Sequence, residues 1–141
     1  MFDELKKYKT NNHFFFDGDK PFGEVCNAPK KGSGVYVVYA LTKGKVKLIY
    51  IGSSEKMQKN GKMRHRIGGL YDRLVNGKQF EKPRRISWLE KLTEDQIDAL
   101  DVYWYETINS ATNDIPAYTE ALLIQKHHET YGCLPDWNME F

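Results

Sequence analysis

The sequence predicts a small α+β domain, an antiparallel sheet with helices packed on it. Three observations carry that expectation. Two β-branched and aromatic runs, Val35 to Leu41 and Lys47 to Ser53, flank a Thr-Lys-Gly-Lys segment, the signal of a β-hairpin turning at Gly44. A third run, DVYWYETI from Asp101 to Ile108, alternates as a strand does. The segment from Asn113 to Gly132 is the best helix in the chain, with Pro116 in its first turn and Gly132 at its stop.

The remaining elements follow in order. Residues 1–32 read as an N-terminal extension: a short helix, then an irregular Phe-, Gly- and Asp-rich segment packing its aromatics on the core. The domain proper is expected over 33–141. Within the hairpin two registers stay open. A turn centred on residue 43 sets Tyr36 directly opposite Tyr50, whereas a two-residue turn at 43–44 sends them to opposite faces. A polar, glycine-punctuated stretch after Ser53 reads as a surface loop, and LYDRLVNG as a helix stopped by Asn76-Gly77. RRISWLEKL suggests another helix, and Thr93 with Gln96 has the capping-box spacing that opens a helical turn. The tail CLPDWNMEF is expected to be extended.

Composition narrows the class. A chain of 141 residues holds one core and is too short for two ordinary domains. At 40% hydrophobic and 28% charged it belongs with globular rather than disordered chains. No apolar run approaches the roughly 18–20 residues that span a bilayer, and the N-terminus has no apolar signal stretch, so no membrane partner and a cytoplasmic location are expected. Cys26 and Cys133 lack metal-type spacing and read as two buried thiols. The net charge of +2 conceals a division: residues 43–91 hold 14 Lys/Arg against 4 Asp/Glu, while residues 92–141 hold one Lys against 10 Asp/Glu. Such a division points to a basic, partner-facing surface on an acidic body.

Tyr36, in Gly34-Val35-Tyr36, and Tyr50, in Tyr50-Ile51-Gly52, occur in the two hairpin strands. Strand tyrosines alone read as packing. Glu120 precedes Ala-Leu-Leu-Ile on a helix turn expected to face the core, with Leu123 and Ile124 one turn on and His127 two turns on. A carboxylate there is costly unless it is paired, hydrogen-bonded or bound to a cation, although a first-turn Glu is also favoured by the helix dipole.

In this order the landmarks resemble the GIY-YIG nuclease superfamily, over residues 33–141. Gly34-Val35-Tyr36 and Tyr50-Ile51-Gly52 match the signature pair, with Val for Ile in the first. Arg73, in Asp-Arg-Leu-Val, matches the family's helix arginine, with Arg66 as the alternative arginine; Glu120 matches its helix glutamate, and Asn138 its tail asparagine. The segment between Tyr50 and the arginine is longer than in minimal members and is similar to restriction-enzyme-like ones.

The resemblance implies a metal-dependent DNA endonuclease, of restriction or defence type. It implies one Mg²⁺ or Mn²⁺ ion per active site, held by Glu120, and no small-molecule cofactor. Tyr36 would act as general base with help from Tyr50, Arg73 would bind the phosphate, and Asn138 would support the site. The basic residues then fit contacts to DNA phosphates: Lys56, Lys59, Lys62, Arg64 and His65 after the second strand, and Lys78, Lys82, Arg84 and Arg85 after the arginine helix. One such site cuts one strand, so double-strand cutting implies a homodimer. The competing reading is a non-cleaving DNA-binding module that retains the fold.

Overall fold

A computed structural model describes residues 2–54, 69–139 and 141. The fold is α+β: a four-stranded antiparallel sheet and a two-stranded one, flanked by four helices. In chain order these are β1 (Asn11–Phe16), α1 (Phe22–Val25), β2 (Ser33–Thr42), β3 (Lys45–Ser53), α2 (Gly69–Asn76), β4 (Lys78–Gln79), β5 (Lys82–Pro83), α3 (Arg84–Glu94), β6 (Ala99–Ile108) and α4 (Pro116–Tyr131). The large sheet runs β1-β6-β2-β3, with the hairpin on one side and β1 on the far edge. Among the described residues, no helix is long and apolar enough to cross a membrane.

The strand β1 departs from the irregular segment expected. It pairs with β6 along its whole length, from Asn11 opposite Tyr105 to Phe16 opposite Leu100. Three consecutive phenylalanines concealed the alternation: Phe14 and Phe16 are buried while Phe15 faces out. The sheet is thus one strand wider than the hairpin and third strand anticipated, and the segment before residue 33 supplies that strand. A further small hairpin, β4–β5, was also missed. Its turn residues Phe80 and Glu81 both have positive φ without being glycine, so the composition gave no turn signal. Thr93 and Gln96 close α3 rather than opening a turn: the Gln96 N–H bonds the Thr93 carbonyl, and Gln96 has a φ of 55°.

Two cores fill the two faces of the sheet. One joins Phe14, Phe16, Tyr36, Val38, Leu100 and Val102 to α1, α2, α3 and Trp137 of the tail. The other joins Val35, Val37, Leu48 and Ile51 to Leu123 and Ile124 of α4 and to Phe2, Leu5 and Tyr8. The α4 helix is bounded as expected, with Pro116 at its start and Gly132 in the left-handed conformation at its end. Cys26 is buried, where burial raises its thiol pKa to about 11, but Cys133 is exposed, so the expectation of two buried thiols holds for only one.

Candidate active site

The hairpin register resolves in a way neither simple alternative describes. The turn is the two-residue one: Thr42 pairs with Lys45 across Lys43-Gly44, both at positive φ. That register alone would separate the tyrosines onto opposite faces. A β-bulge at Ile49 adds one residue to β3, so that Tyr39 faces Leu48 but Val38 faces Tyr50 and Tyr36 faces Gly52. The bulge returns Tyr50 to the face of Tyr36 as its diagonal neighbour, the kind of re-aiming that bulges perform. Their ring centroids are 6.0 Å apart.

Gly52 makes room for this arrangement. A Cβ there would meet Cε2, Cζ and the hydroxyl oxygen of Tyr36 at 2.5–2.7 Å, so that side chain lies over the edge strand where only glycine leaves space. Gly34 has a different cause: a Cβ would collide with the backbone carbonyl of Tyr105 on β6. The outer edge of β3 is closed by the tail. Asn138 accepts the Ile51 N–H at 3.0 Å and donates its amide to the Ile51 carbonyl at 2.9 Å, while the Trp137 N–H bonds the Ile49 carbonyl. Both ends of the Asn138 amide are thereby used on the strand between Tyr50 and Gly52.

Arg73 on α2 and Glu120 on α4 complete the cluster. Burial acts to lower the Arg73 pKa, but Tyr36, Tyr50 and Glu120 nearby raise it, and the net shift is upward. Burial pushes the Tyr50 hydroxyl well above the ordinary phenol value; Tyr36 adds to the rise, Arg84 opposes it, and Glu120 adds a smaller push. Side chains from three other elements, two of them 84 positions apart in the chain, therefore bear on Arg73. Tyr36 is fully buried. Its hydroxyl and the Nε of Arg73 have no partner in good hydrogen-bond geometry among the described residues, although Tyr36 acts on Arg73 as a hydrogen-bonding neighbour as well as through charge. An unsatisfied buried polar atom costs about 1–3 kcal/mol, which calls for an explanation. Glu120 is half-buried and engaged with a partner of its own.

Arg84 is the main correction. Placed by sequence among the phosphate-contacting cations, it is only 1% exposed. Its Nε donates to Gln79 Oε1 at 2.9 Å, its Nη1 to the Arg73 carbonyl at 2.7 Å, and its Nη2 to the Tyr50 hydroxyl at 3.2 Å. The guanidinium carbon lies 5.4–5.6 Å from the ring centroids of Tyr36, Tyr50 and Trp88. Gln79 Oε1 also accepts from the indole of Trp88 at 3.0 Å. The signal was present in helical periodicity: Arg84, Trp88 and Leu92 recur at i, i+4 and i+8, the buried stripe of α3. Nothing in sequence marked Gln79.

The other expected contacts divide. Lys78, Lys82 and Arg85 are exposed, but Lys82 is held by Glu90 at 2.8 Å and Arg85 donates to Asn76 at 2.7 Å. Lys56, Lys59, Lys62, Arg64, His65 and the alternative arginine Arg66 lie outside the described residues. His127 is structural, its Nδ1–H donating to the Cys133 carbonyl at 2.9 Å beyond the end of α4.

Fold and cluster together define a small α+β domain carrying a tyrosine–arginine–carboxylate cluster at the edge of an antiparallel sheet. Compared with family models, curated proteins and solved structures, the chain matches none.

Proposed function

We propose that this protein is a metal-dependent DNA endonuclease of the GIY-YIG kind. The observation that carries the reading is the convergence of Tyr36, Tyr50, Arg73 and Glu120, with two buried polar atoms, Tyr36 Oη and Arg73 Nε, left unsatisfied at its centre. Such atoms suit a site whose missing partner is a ligand. Phosphodiester hydrolysis needs a base, charge compensation at the phosphate and help for the leaving oxygen. Tyr36 takes the proton from the attacking water, Arg73 donates to the phosphate oxygens, and Tyr50 supports Tyr36. Glu120 is a half-buried carboxylate whose charge reaches Tyr50 and Arg73, and a carboxylate oxygen suits a hard ion keeping most of its own waters. Mg²⁺ or Mn²⁺ held there would polarise the phosphate and stabilise the leaving oxygen. Exposed Lys78 and Arg85, beyond the arginine helix, suit contacts to the DNA backbone.

A second reading, a non-cleaving DNA-binding module, draws support from the complete burial of Tyr36, since a general base must reach its water. Supercoiled plasmid separates the two. Cleavage by the wild type in Mg²⁺ or Mn²⁺, abolished by EDTA and reduced at least a hundredfold in folded Glu120→Ala and Tyr36→Phe variants, is the expected result. Cleavage that survives both substitutions would show the site to be wrong. Salt-sensitive binding without any cutting supports the non-cleaving module.

A further inference from the structure

Arg84 is a buried cation with no carboxylate partner among the described residues, an arrangement that proteins seldom tolerate without a use for the charge. Its three contacts are a side-chain amide oxygen, the carbonyl that ends the turn of α2 carrying Arg73, and the Tyr50 hydroxyl. A guanidinium can only donate. In the bond to Tyr50 the phenol oxygen is therefore the acceptor, and the Tyr50 proton must point elsewhere. Tyr50 has no second hydrogen-bond partner among the described residues, and its ring lies beside that of Tyr36. Gly77 belongs to the same device: a Cβ there would collide with both the Arg73 carbonyl and the Arg84 Nη1.

We propose that Arg84 is a positioning residue for the candidate active site: by occupying the Tyr50 oxygen as donor, it turns the Tyr50 hydroxyl into a directed donor toward an anion bound between Tyr36 and Arg73. Tyr50 then binds and orients the phosphate, leaving Tyr36 alone as the base. This division of labour between the tyrosines rests on the hydrolytic reading above. The orientation of the Tyr50 proton does not.

Two arms test it. In the first, DNA cleavage is compared for wild type, Arg84→Met, Tyr50→Phe and the double variant, each with folding verified. Arg84→Met is expected to lower kcat on the order of a hundredfold with KM little changed, as misplacement of a reacting group does. It should add little further loss in the Tyr50→Phe background, because the two act as one unit. Arg84→Lys, which keeps the charge and a donor, should recover part of the rate and replaces Arg84→Met if that variant does not fold. Losses that multiply in the double variant would overturn the proposal, since a purely structural arginine acts independently of the Tyr50 hydroxyl. In the second arm, an acidified fluorotyrosine at position 50 is titrated by ¹⁹F NMR. Loss of the Arg84 charge should move its ionisation to higher pH by on the order of one unit, and Arg84→Lys should move it less. An unmoved titration overturns the proposal. If the wild type cuts no DNA, the endonuclease reading fails, and the fluorine titration still decides the role of Arg84.

Discussion

A Cβ at position 52 would sit within the Tyr36 ring's own volume, so Gly52→Ala pits a single methyl group against a fully buried aromatic. Either the ring moves or the edge strand does. Overpacking of this kind costs about 1–3 kcal/mol, and here the displaced group is the candidate base. Urea denaturation should therefore show Gly52→Ala destabilised within that range, with cleavage lost in the still-folded protein. An unchanged midpoint would mean that the ring does not lie across β3. Asn138 acts on the same strand from the outside, its amide consumed by the Ile51 backbone. It holds the strand between Tyr50 and Gly52 through the backbone of Ile51.

The strand β1 turns a phenylalanine-rich leader into part of the sheet. Phe16 is 2% exposed and meets Phe22 edge to face at 5.0 Å, and Phe22 in turn meets Trp88 of α3. Phe15, its neighbour, is 54% exposed. Chemical denaturation should thus separate two adjacent and identical residues. Phe16→Ala is expected to cost about 3–5 kcal/mol as a buried aromatic truncation. Phe15→Ala should stay within about 0.5 kcal/mol. Equal effects would show that β1 does not pair in this register. The α2 and α3 helices share the apolar core on this face of the sheet, and the first side chain of α3 adds a polar contact by capping the carboxyl end of α2. That cap places Arg73 relative to Tyr50, and it links the helix pair to the hairpin.

Across the molecule as a whole, the N-terminal segment is tied to the start of α4. Tyr8 donates to Asp114 at 2.6 Å and shares a hydrogen bond with Thr119 of α4 at 2.9 Å, while Lys7 pairs with Asp114 at 2.6 Å. Hydrogen bonds from Lys7 and then Tyr8 hold the Asp114 carboxyl below the ordinary carboxylate range. A carboxyl depressed in the folded state contributes stability that is present above its unfolded value, about 3.9, and is lost as pH falls through the folded value. The gap in urea midpoint between wild type and Asp114→Asn should accordingly be full near neutral pH and shrink below about pH 4. A gap independent of pH would remove the electrostatic contribution. Pairing also neutralises cations counted in the basic stretch: Lys82 is matched by Glu90, and Lys47 by Asp136. Fewer of the cations in the basic stretch are free for a polyanion than their number suggests.

Local pattern made much of this legible. Runs of β-branched and aromatic residues located β2 and β3, alternation located β6, good helix formers between Pro116 and Gly132 bounded α4, and the Asn-Gly pair ended α2, because each signal depends on neighbours within a few residues. The candidate residues Tyr36, Tyr50, Arg73, Glu120 and Asn138 could be named together only through the resemblance of their motifs, in order, to a known family. Their meeting could not. One bulge residue, Ile49, decides which face Tyr50 occupies, and no composition signal marks it, since the gain comes from packing across strands rather than from the residue's own preference. Arg84 and Arg85 are identical neighbours in sequence, yet one is sealed among three aromatic rings and the other is exposed. Which arginine faces inward depends on how α3 lies against the sheet, because burying a cation is tolerable only where distant groups, here Gln79, Tyr50 and the Arg73 carbonyl, converge to accept its hydrogen bonds.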